Sequence, residues 1–156
     1  MNASRRIARC LALLLIAALP AAAAVTVSFP SESYTDIGPP GAEVDEVKNE
    51  LARYLHVLDA RYLAPGDSLW IEVLDVDLAG RLHHTGRGEI RVASGQADWP
   101  RIKVRYRLER NGKTSAGEDT VSDPSYLWFP SRARPHQSMP HEKRMLEAWF
   151  KEKFAR

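Results

Sequence analysis

The stretch RIKVRYRLERNGK, Arg101 to Lys113, constrains the fold more than any other part of the chain. Ile102, Val104, Tyr106 and Leu108 alternate with Arg101, Lys103, Arg105 and Arg107. A period of two over that length is the pattern of a strand with one apolar and one wet face. Asn111-Gly112 follows directly, and both residue types tolerate positive φ, so the strand turns back on itself. TSAGEDTVSD, Thr114 to Asp123, is the returning strand, polar enough for a sheet edge. A hairpin that is apolar on one side needs cover on that side, and the rest of the chain must supply it.

The remaining elements follow from their own periods. VTVSF, Val25 to Phe29, alternates and reads as a first strand, and PSESYTDIGPPG after it reads as loop. Val44, Val47, Leu51, Tyr54, Leu55, Leu58 and Tyr62 recur at gaps of three and four, one stripe of a helix. Glu43, Asp45 and Glu46 lie near its start, where carboxylates suit the positive end of the dipole, and APGD (Ala64 to Asp67) ends it. In SLWIEVLDVDL, strict alternation puts Leu69, Ile71 and Val73 on one side and Trp70, Leu74, Val76 and Leu78 on the other, with Glu72 the exception. That predicts a central strand covered on both faces. AGRLHHTGRG, Ala79 to Gly88, reads as a loop, EIRVA (Glu89 to Ala93) as a short strand and SGQADWP as a turn. Met145, Leu146, Trp149, Phe150 and Phe154 mark a closing helix, with Ser138 as its cap and Pro140 in its first turn. The order predicts an α+β fold: an antiparallel or mixed sheet of about four to five strands with two helices packed on one face.

The first 24 residues carry an address. Arg5, Arg6 and Arg9 precede the apolar run LALLLIAAL, Leu11 to Leu19, which is too short to span the roughly 30 Å of a bilayer as a helix. Pro20 and four alanines follow. This is the layout of a secretory signal peptide over residues 1–24, cut after Ala23 or Ala24, with a single domain over 25–156. Cys10 precedes the apolar run, so it does not suit lipidation, and it is the only cysteine. Removing residues 1–24 from the 156 leaves 132 residues, takes away three arginines and no acid, and lowers the formal net charge from +2 to −1. The mature chain thus has no thiol for a disulfide, a nucleophile or a metal. A nearly neutral exported domain argues against nucleic acid as a partner. No second apolar run has transmembrane length, and no cofactor motif is present: the Walker loop, the dinucleotide glycine fingerprint, G-x-S-x-G and H-E-x-x-H are all lacking.

SYTD (Ser33 to Asp36), IEVLDVDLAG (Ile71 to Gly80), DWPRIKVRYRLERNGK (Asp98 to Lys113), DPSYL (Asp123 to Leu127) and EKRMLEAWF (Glu142 to Phe150) occur in this order. Together they resemble the bacterial secreted family known as domain of unknown function 3016. The resemblance implies export and one compact domain, and it implies no activity or catalytic residue.

Three groups of residues are candidates for function. The basic row Arg101, Lys103, Arg105 and Arg107, with Arg91 as a neighbour, suits an anionic glycan, a lipid head group or an acidic partner. Its alternative is a solvated face, neutralised in part by Glu109 and Glu118. The segment DPSYLWFPSRARPHQSMP, Asp123 to Pro140, combines four prolines with Tyr126, Trp128, Phe129, Arg132 and Arg134. Aromatic anchors and prolines suit a docking loop; the competing reading is a loop whose aromatics plug the core. Exposure of Trp128 decides between them. Asp75 and Asp77, with His83 or His84, are the ligands of the alternative function, a metal-dependent enzyme. Against it, adjacent histidines diverge in extended backbone, and a strand leaving the core at Asp75 would spend its carboxylates on a neighbouring arginine or a turn. The sequence therefore predicts a small exported periplasmic binding or accessory domain that contacts an envelope protein or an anionic envelope component.

Overall fold

A computed structural model describes residues 23–37, 41–86, 88–95, 97–128 and 138–155. The elements run β1 (Ala24–Ser28), α1 (Ala42–Tyr62), β2 (Ser68–Asp77), β3 (Arg81–Thr85), β4 (Gly88–Val92), β5 (Arg101–Arg110), β6 (Lys113–Ser122) and α2 (Pro140–Phe154). A mixed four-stranded sheet has the order β1-β2-β5-β6, and β3-β4 form a separate two-stranded ribbon. β1 and β2 are parallel neighbours joined through α1, while β2-β5 and β5-β6 are antiparallel. The fold is α+β, as the residue patterns predict, and the polar strand β6 is an edge.

One face of the sheet carries the core. Leu69, Ile71, Val73, Ile102, Val104 and Leu108 meet Leu51, Leu55 and Leu58 of α1 and Met145, Leu146, Phe150 and Phe154 of α2. Both helices are amphipathic, so neither buries its stripe without the sheet, and together with Tyr34, Phe29 and Ile37 of the loop after β1 they cover its apolar face. Glu147 ties the helices together outside that core: it accepts from the Tyr54 hydroxyl at 3.1 Å, the Tyr62 hydroxyl at 2.8 Å and Arg61 at 2.5 Å.

Three expectations fail, each for a physical reason. First, β2 does not alternate strictly. Its pairing with β5 shifts between Val73 and Asp75, so Leu74 is the extra residue of a β-bulge. The bulge lets Val73 and Val76, three apart, both point into the core, where both are buried. Asp75 and Asp77 are thereby turned to the opposite face, which is polar rather than apolar. Second, Arg81–Thr85, expected as loop, is strand β3; it pairs with β4, His83 opposite Ile90. A two-stranded ribbon buries too little to leave an apolar stripe in its sequence. Third, Ser138 does not cap α2. The helix begins at Pro140, so Met139 occupies the cap position, in the left-handed region at φ 53° and without a side-chain cap, and Ser138 falls one residue too early.

Candidate functional site

The uncovered face of the sheet bears the basic row, and there each cation already has a partner. β5 lies between β2 and β6, so its arginines stand opposite the acids of both. Arg105 reaches Glu72 at 3.0 Å and Glu118 at 2.7 Å; the Glu118 carboxylate, then that of Glu72, holds its guanidinium above the ordinary value. Lys103 lies 3.9 Å from Glu118, and Arg107 lies 3.3 Å from Glu109 and stacks over Trp70 at 4.0 Å. Arg101 takes Asp77 through Nε at 2.9 Å. The row is a cross-strand ladder of alternating sign rather than a basic patch. Arg91, on the ribbon, pairs with Asp36 at 2.6 Å and donates to the Gly80 carbonyl at 2.9 Å.

The acidic pair is spent in the same way. Asp75 accepts from the Thr35 N–H at 2.8 Å and from the Thr35 hydroxyl at 2.7 Å. Burial pushes its carboxyl up, but the Thr35 hydrogen bonds outweigh that and leave it below the usual range. Asp77 holds Arg101. His83 and His84 are exposed neighbours on β3, where successive side chains point to opposite sides. Among the described residues no group of three or more histidine, cysteine, aspartate or glutamate side chains is placed to hold a metal. The carboxylates mark the exit of β2 from the core, where they fasten the loop after β1 and the start of β5.

The aromatic segment divides. Tyr126 is buried and therefore not open to a partner. Its hydroxyl donates to Asp98 at 2.9 Å, its ring meets the edge of His141 at 4.9 Å, and its carbonyl accepts from Arg144 at 3.0 Å. Asp98 also accepts from the Ser94 N–H at 2.7 Å, the Ser94 hydroxyl at 2.8 Å and the Gly95 N–H at 3.0 Å. Burial pushes the Asp98 carboxyl up, yet these donors bring it down to about 2. Arg144 fixes the other side of the segment through Asp123 at 2.6 Å. Two overlapping turns result, with Tyr126 N–H bonded to the Asp123 carbonyl and Trp128 N–H to the Ser125 carbonyl at 2.9 Å. They present Leu127, 43% exposed, and Trp128, 83% exposed. Gly95 is needed beneath them: its φ is +74°, and a Cβ there would stand 2.7 Å from the Leu127 side chain. Phe129, Arg132 and Arg134 lie outside the described residues.

The Asp98–Tyr126–Arg144 pin was not legible in the sequence. Its members lie up to 46 positions apart, from Asp98 to Arg144, and none belongs to a periodic stripe. The one available signal was Tyr126 following an Asp-Pro-Ser turn. A cleft of about 690 Å³ opens between the first turns of α1 and the ribbon, lined by Ile37, Val44, Val47, Leu78 and Leu82 around the Asp36–Arg91 pair. Among the described residues Arg91 is the one cation of this lining and is engaged by Asp36, while Glu43 and Glu46 of α1 add carboxylates to an otherwise apolar wall.

A family model described as Protein of unknown function (DUF3016) matches residues 23–152. No curated protein and no solved structure matches the chain significantly.

Proposed function

The chain belongs to the DUF3016 family, and from that premise we propose that it is an exported binding or accessory domain that docks on an envelope protein through Trp128. The single observation that carries this reading is the exposure of Trp128 on a turn held from beneath by Asp98 and Arg144. A tryptophan presented on a fixed turn loses little conformational entropy when it enters a partner's pocket, which is why such residues dominate binding energies. The leader-like residues 1–24 support an exported, periplasmic location. Among the described residues no helix is long and apolar enough to cross a membrane. A protein partner is favoured over an anionic glycan or lipid head group because Arg101, Lys103, Arg105 and Arg107 are already engaged by acids or by Trp70.

Site-specific photocrosslinking tests the proposal. A photoreactive aromatic residue placed at position 128 is expected to trap one envelope protein in intact cells, and the same residue at Lys113 is expected not to. The trapped protein, purified, should bind Trp128→Ala about thirtyfold more weakly than the wild type, measured by calorimetry. Unchanged affinity would remove Trp128 from the interface. Loss of affinity on Arg105→Glu with Arg107→Glu, but not on Trp128→Ala, would move the interface to the sheet face.

A further inference from the structure

The geometry points to Asp59 as a receptor for the α-ammonium group of Val25, created when the leader is cut between Ala24 and Val25. This rests on the export reading above. Val25 is the first buried residue of β1, and its N–H donates to Asp59 Oδ2 at 3.2 Å. Asp59 is only 9% exposed, and its second oxygen, Oδ1, is buried with no hydrogen-bond partner. A buried carboxylate holding one neutral N–H is a costly arrangement. Its position makes this worse, because Asp59 lies in the last turns of α1, where the helix dipole presents negative charge. The nearby Arg61 does not relieve it, since its guanidinium goes to Glu147 at 2.5 Å.

Cleavage supplies what the site lacks. During export, before folding, a leader peptidase adds water across the Ala24–Val25 amide. Ala24 leaves with a carboxylate, and the Val25 nitrogen takes up a proton to become an ammonium. That group brings a positive charge and two further N–H donors to the place where one N–H already meets Asp59, so Oδ1 gains a charge-assisted bond. A cut one residue earlier does not serve: Ala24 is exposed, and its nitrogen faces the Asp67 carbonyl at 3.2 Å. The small-residue pattern fits either position; the Asp59 carboxylate selects the second.

The test has three readings. Amino-terminal sequencing of the exported protein is expected to begin at Val25; a start at Ala24 or elsewhere overturns the inference, whereas unprocessed protein retained in the cytosol defeats the export reading instead. The chain starting at Val25, which is also obtainable by removing a cleavable tag, is then compared with one retaining Ala23 and Ala24. Its thermal midpoint is expected to be higher by about 5 °C, and Asp59→Asn should abolish that difference, because the amide still accepts one N–H but carries no charge. Equal midpoints for the two chains, or a difference that survives Asp59→Asn, overturns the inference. Should Asp59→Asn fail to fold, acylation of the wild-type α-amine decides: labelling in the native state is expected to be at least tenfold slower than in urea, and equal rates count against the pair.

Discussion

Asp98→Ala is expected to lower the unfolding free energy by about 3 kcal/mol, read by urea denaturation at neutral pH. The carboxylate takes four hydrogen bonds, from the Ser94 N–H and hydroxyl, the Gly95 N–H and the Tyr126 hydroxyl, and its removal strands the Tyr126 hydroxyl in a buried place and frees the part-buried Ser94 and Gly95 loop. Asp98→Asn keeps the shape and some of the bonds and should cost about half as much. The pH dependence separates charge from shape. The folded Asp98 carboxyl titrates at about 2, below the roughly 3.9 of an unfolded aspartate. A depressed folded value means that the stabilisation is fully present above about pH 4 and is lost as pH falls through 2. The difference between wild-type and Asp98→Asn stability should therefore shrink as pH falls from 4 to 2. A constant difference over that window would mean that Asp98 acts by shape alone. The same substitution should also loosen the turn beneath Trp128, so its fluorescence anisotropy should fall in a chain where Trp70, Trp99 and Trp149 are replaced by phenylalanine.

Phe150→Ala is expected to cost about 4 kcal/mol, a large part of the 5–15 kcal/mol that holds a domain of this size together. Phe150 is fully buried on α2 at the centre of an aromatic cluster. Its ring centroid is 5.1 Å from Phe154, 6.2 Å from Trp149 and 6.3 Å from Tyr62. Truncation removes the transfer energy of the ring and leaves a cavity that the rigid neighbours refill poorly. Phe150→Leu, which keeps much of the volume, should cost about 1.5 kcal/mol. The check is a fall in the urea midpoint at unchanged slope. Trp128→Ala provides the contrast: as an exposed side chain it should leave the unfolding free energy within about 0.5 kcal/mol of wild type while weakening partner binding.

The sequence by itself determined the α+β class, the hairpin at Asn111-Gly112 and the faces of α1, α2 and β5, because periods of two and of three to four are local and burial enforces them. It also carried the family resemblance that the match over residues 23–152 bears out. Only the tertiary structure decided the bulge at Leu74, the ribbon β3-β4, the burial of Tyr126 and the exposure of Trp128. Charge pairing was equally hidden: a row of arginines reads the same whether its neighbours across the sheet are acids or water. Such features depend on which distant residues meet, as with Glu72 and Glu118 on either side of Arg105 or Val25 against Asp59. A one-dimensional pattern does not record those meetings, because strand pairing and helix docking are set by the packing of the whole core.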